Sequence, residues 1–109
     1  MTIDVNKENY DKEVLESSIP VLVDFWGPKC TNCFALLPTV EQLEKEYKDK
    51  LKVTKLDASQ NRRLCMNLKV MKLPTILLVH NGEEVDRIKG EITPEQLTEK
   101  VNTFMNQNS

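Results

Sequence analysis

The chain has 109 residues, of which 39% are hydrophobic and 29% charged, with a net charge of −2; this describes one globular domain, residues 1–109, large enough to bury about two-thirds of its unfolded surface. Acids interleave with the bases, so Arg62-Arg63 and Lys48 to Lys52 read as solvated faces, and neither nucleic acid nor an acidic membrane surface suits this charge pattern. No stretch approaches the ~20 apolar residues of a membrane span, and Met1 to Glu8 lacks the basic start and apolar centre of a signal peptide, so a cytoplasmic monomer is expected.

Ile3 to Val5 is a short strand candidate, and Asn6 or Asn9 caps a helix from about Tyr10 to Ser17 with Tyr10, Val14 and Leu15 at helical spacing. Ile19-Pro20 ends that helix. Val21 to Phe25 is then almost unbroken apolar sequence, the pattern of a strand covered on both faces, with a single acid, Asp24, inside it. A helix over about Thr31 to Lys48 places Leu36, Val40, Leu43 and Tyr47 on one stripe, and Pro38 removes a backbone donor within it. Leu51 to Leu56 alternates as a strand that puts Leu51, Val53 and Lys55 on one face, where the lysine needs an acidic partner.

Ser59 to about Leu68 reads as a short helix with Leu64 and Leu68 inward. Leu73-Pro74 introduces the apolar strand Thr75 to Val79, and Asn81-Gly82 joins it as a hairpin to a strand over Glu84 to Ile88 that Gly90 breaks. Thr93-Pro94-Glu95-Gln96 opens a last helix with Leu97, Val101 and Phe104 as its buried stripe, and Asn106 to Ser109 is expected to fray. The order βαβαβα then ββα makes an α/β fold, a three-layer α/β/α arrangement around a mixed five-stranded sheet. Its alternating half is expected to be parallel and the hairpin to supply an antiparallel edge.

Cys30 and Cys33 stand where the second strand gives way to the long helix. Unpaired backbone N–H groups and the helix dipole favour a negative sulfur there, the setting for thiol–disulfide exchange. Three cysteines, an odd number, do not make a disulfide scaffold, and a zinc site would have to draw on Cys65 and His80 without a second paired motif. Cys65 reads as a small buried hydrophobe beside Leu64 and Leu68, Met66 and Met71 as gap fillers, and His80 carries no role.

Val23-Asp24-Phe25-Trp26, Cys30-x-x-Cys33, Pro38, Lys55-Leu56-Asp57, Leu73-Pro74-Thr75, Asn81-Gly82-Glu83 and Gly90 occur in an order and spacing that resemble the thioredoxin family over nearly the whole chain. The resemblance implies a protein-disulfide reductase. In it Cys30 attacks a substrate disulfide and Cys33 resolves the mixed disulfide, with no bound cofactor. A separate thioredoxin reductase, linked to NADPH or ferredoxin, then restores the dithiol, and disulfide-containing proteins are the clients.

It further implies a cis peptide at Pro74 facing the thiols. Asp24 becomes the buried acid that exchanges a proton with the second thiol, with Lys55 as its charge partner. Trp26, Leu73, Pro74 and Gly90 become parts of a docking groove. The family's usual Trp-Cys-Gly-Pro-Cys is replaced by Lys29-Cys30-Thr31-Asn32-Cys33, so Lys29, Thr31 and Asn32 bear on potential and partner choice. Lys29 is expected to lower the Cys30 thiol pKa and to favour acidic partners. A more oxidising thiol oxidase or isomerase, and a binding module that merely kept the fold, stand as alternatives.

Overall fold

Val21, Leu22, Val23 and Phe25, with Ile76 to Leu78, are almost wholly excluded from solvent, as near-continuous β-branched and aliphatic runs must be when both faces of a sheet are covered. The computed structural model describes residues 2–108. Five strands, β1 (Ile3–Val5), β2 (Val21–Trp26), β3 (Lys52–Asp57), β4 (Thr75–His80) and β5 (Glu83–Lys89), form one sheet in the order β1-β3-β2-β4-β5.

The alternation of β2 divides the core. Leu22, Ile76 and Leu78 pack with Leu36, Val40 and Leu43 of α1 (Thr31–Glu46) and with Leu97, Val101 and Phe104 of α3 (Pro94–Asn108). Val21, Val23, Phe25, Leu77 and Val79 pack on the other face with Tyr10, Val14 and the Cys65 of α2 (Arg62–Asn67). Tyr47 Oη donates to Asn102 Oδ1 at 2.5 Å and ties α1 to α3.

β1 pairs parallel to β3, and β3 parallel to β2. The antiparallel part is larger than expected, because β4 runs antiparallel to the central β2 and not only to its hairpin partner β5. The connection through α2 stays at one end of the sheet: the chain leaves at Asp57, beside Trp26, and re-enters at Thr75, beside Phe25.

Local outcomes differ from the sequence pattern in three other places. The first helix is a π-helical segment over Asp11–Leu15, closed by Glu16 N–H to the Asp11 carbonyl at 2.9 Å, and it leaves Leu15 exposed. Its entry uses both asparagines: Asn6 Oδ1 accepts from Glu8 and Asn9 N–H, and Asn9 Oδ1 from Asn6 N–H. The third helix is split into a 3₁₀ turn at Ala58–Gln60 and α2, with Cys65 buried while Leu64 and Leu68 are only partly covered. Helix α3 does not fray at Asn106 but continues to Asn108, whose Nδ2 donates to the Phe104 carbonyl while its Oδ1 lies 3.3 Å from His80 Nδ1; Ser109 lies outside the described residues.

The expected capping box at α3 is present: Thr93 Oγ1 accepts from Gln96 N–H at 3.1 Å and Gln96 Oε1 from Thr93 N–H at 3.0 Å. Asn81 and Gly82 both take positive φ (54° and 79°), as a two-residue hairpin that matches strand twist requires. Both sheet edges are short or interrupted. β1 has 3 residues, and the β4–β5 register shifts at Leu78/Val79 along a β5 that carries Glu83, Glu84, Asp86, Arg87 and Lys89.

Candidate active site

β2 ends at Trp26, and Gly27 to Lys29 turn the chain into α1. Gly27 lies close against Leu73: a Cβ there would stand 3.0 Å from Leu73 Cδ1, and the leucine side chain would have to give way. Cys30 is the residue that caps α1: its backbone is extended, and its Sγ accepts from Cys33 N–H at 3.1 Å. One turn brings the two sulfurs together in a Cys30–Cys33 disulfide with Cα atoms 5.3 Å apart. The partners differ in access. Cys30 is partly exposed, whereas Cys33, in the first turn of α1, is 2% exposed, with its Sγ 4.0 Å from the Phe25 carbonyl oxygen.

Asp24 lies one residue before that carbonyl, on the sheet face that α1 covers, and is itself 2% exposed. Removal from water pushes its carboxyl pKa up from 3.8 to about 7, against a smaller downward pull from Lys55. Lys55 is Asp24's neighbour in register on β3, but it does not close an ion pair with it. Its Nζ stands 3.9 Å from Asp4, the register neighbour on the opposite side, and the lysine side chain is 40% exposed. The expected neutralising partner is thus a more distant charge shared with an exposed acid, which is why burial dominates at Asp24.

Leu73-Pro74 is a cis peptide bond, as the family resemblance implied. Beside the disulfide lies a groove of about 650 Å³. One wall is Gly27 to Asn32, and the other is formed by Ser59, Arg62 and Leu73. Of the residues expected to dock a client, Lys29, Thr31, Asn32 and Leu73 line this groove with Cys30. Trp26, Pro74 and Gly90 do not. The Trp26 ring leans against Phe34, with centroids 6.2 Å apart. Pro74 is buried, and its carbonyl accepts from Gly90 N–H at 3.0 Å, so these two groups are spent on each other. Gly90 holds φ +86°, which favours glycine there.

Sequence reading missed Ser59 and Arg62, the latter taken as part of a solvated face. Only the short crossover, which folds α2 back over the carboxyl ends of β2 and β3, reveals their place; no local signal marks them. Cys65 is a buried free thiol in the core, and burial and Asp57 push its pKa up. Among the described residues there is no cluster suited to a metal ion and no helix long and apolar enough to cross a membrane.

A sheet of this order with a helix-capping cysteine pair at the carboxyl ends of its central strands defines a protein-disulfide oxidoreductase. The thioredoxin family model matches residues 1–103, and the chain belongs to the thioredoxin family. Among similar proteins are the chloroplastic M-type thioredoxin of Chlamydomonas reinhardtii, 35% identical over 94% of this chain and 73% of its own length, and that of Spinacia oleracea, 34% identical over 94% of this chain and 56% of its own. The thioredoxin of Acetoanaerobium sticklandii is 39% identical over 81% of this chain and 84% of its own. The chain is a thiol–disulfide reductase, and its partners in general are a reductase and disulfide-containing clients.

Proposed function

We propose that Cys30 is the attacking thiol and Cys33 the resolving one, with Asp24 as the proton acceptor for Cys33. The difference in access carries this reading, because a client disulfide reaches the partly exposed Cys30 and not Cys33. The Cys30 thiolate, favoured by the first-turn N–H groups of α1, attacks one client sulfur. It forms a mixed disulfide and releases the other client sulfur as a thiolate. Cys33 then gives up its proton to Asp24 and attacks Cys30 Sγ, which releases the second client thiolate and leaves the Cys30–Cys33 disulfide. Two electrons pass to the client. A carboxyl with a pKa of about 7 suits that transfer at neutral pH, and Lys55 holds it from rising further.

The cycle uses no bound cofactor, since a dithiol stores both electrons. A separate thioredoxin reductase, drawing on NADPH or ferredoxin, restores it to a monomeric, cytoplasmic protein acting as one domain. Reduction assays with each reductase type identify the donor. Trapping tests the thiol roles. Cys33→Ser is expected to accumulate a mixed disulfide with a cystine peptide and Cys30→Ser to accumulate none; the opposite pattern reverses the assignment. A reduction potential near about −270 mV is expected for a reductant, and one between about −180 and −120 mV overturns that direction in favour of an oxidase or isomerase.

A further inference from the structure

The protein as a whole carries a net charge of −2, yet its groove has the opposite sign. Lys29 on the cysteine wall and Arg62 on the α2 wall both line it, no acid does, and α1 adds the positive end of its dipole at Cys30. Neither cation is engaged: among the described residues no ion pair or side-chain hydrogen bond reaches Lys29 or Arg62, and both are exposed. Asp57, whose carboxylate accepts from Ser59 N–H and Oγ, does not line the groove and pairs with neither cation. The remaining lining is neutral, with Thr31 and Asn32 as hydrogen-bonding groups and Leu73 as the apolar contact.

From this we infer that the groove selects extended client segments in which a carboxylate side chain flanks the cystine, with Lys29 and Arg62 as the specificity-determining pair on either side of Cys30. The inference rests on the exchange chemistry proposed above and names its substrate class. A client strand laid along the groove brings its sulfur to Cys30 and its neighbouring side chains to the two walls. An Asp or Glu there gains a charge-assisted contact that its amide counterpart does not. Because both contacts are solvent-exposed, the selection is modest and fades with salt.

The test uses two cystine peptides of one sequence, one with Asp and Glu flanking the disulfide and one with Asn and Gln in their place. Pre-reduced protein is mixed with each, and the second-order rate constants are compared at low and high ionic strength. The acidic peptide is expected to react roughly fivefold to tenfold faster at low salt, the ratio falling toward one near 1 M salt. In Lys29→Gln/Arg62→Gln the ratio is expected to collapse at low salt as well, and Lys29→Glu/Arg62→Glu to favour a lysine-flanked peptide. Equal rates for the two peptides with the unaltered protein, or a preference that survives in the double glutamine variant, overturn the inference while leaving the exchange reading intact. Failure to reduce either peptide overturns the exchange reading itself.

Discussion

At Asp24 two physical effects oppose each other, and the structure decides between them. Burial favours the protonated acid, while Lys55 is too far and too solvated to hold the carboxylate charged, so the pKa stands at about 7 instead of 3.8. The folded protein thus binds this proton more tightly than the unfolded chain. Asp24's contribution to stability is most favourable below about pH 4 and is lost as pH rises through about 7. Asp24→Asn is therefore expected to raise the unfolding free energy by roughly 2–4 kcal/mol at pH 8 and by far less at pH 4. Urea titrations at both values check this, and an equal gain at the two would tie the effect to packing instead of ionisation. Lys55→Met removes the downward pull, so the Asp24 titration followed by carboxyl NMR shifts is expected to move up; a midpoint that stays or falls refutes the coupling. The buried acid was legible because an ionisable group inside an apolar run is costly to bury and stands out against its neighbours. Lys55's true partner was not, because alternation gives a face but not which of two flanking strands supplies the closer acid.

Among the elements, α2 shows how a short helix is fastened where it must hold a groove wall. Val70 N–H donates to the Cys65 carbonyl and Lys69 N–H to that of Met66, with Lys69 at φ 60°, a Schellman end whose apolar contact is Val70 against Cys65. Arg87 of β5 then donates to the carbonyls of Leu68 and Lys69 and pairs with Glu84. Lys69→Gly relieves a left-handed backbone and is expected to stabilise the protein by about 0.5–1 kcal/mol in thermal or urea melts; a loss would place the strain elsewhere. Thr93→Ala at the start of α3 removes one half of its capping box and is expected to cost about 1 kcal/mol by the same measurement. Long periodic elements and paired caps could be read from residue types alone. The π-helical turn and the split third helix could not, because their boundaries are set by local backbone bonds, Glu16 N–H to the Asp11 carbonyl and Asn61 N–H to that of Ala58, that residue types do not specify.

For the whole molecule, one sheet is the shared wall of two cores. Leu97 belongs to the α1/α3 side and Val14 to the other, and β2 and β4 contribute alternately to both. Leu97→Ala is expected to cost about 2–5 kcal/mol and to shift the far-ultraviolet dichroism and Trp26 fluorescence transitions together; separated transitions would mean that the two sides melt independently. The parallel half of the sheet was legible from alternating strands and helices. The orientation of β4 was not, because strand and helix periodicity does not tell whether a connection returns along the sheet or stays at one end of it, and with it went the placement of Arg62 and Ser59 at the groove.

The blunted sheet edges carry a consequence for handling. A protein that opens clients' cross-links works next to partly unravelled chains, whose free backbone seeks any unpaired strand. Here β1 offers only 3 residues, and β5 presents a charged and register-shifted rim, so neither edge templates further pairing. A client released beside it is therefore expected to find no open strand edge on which to aggregate.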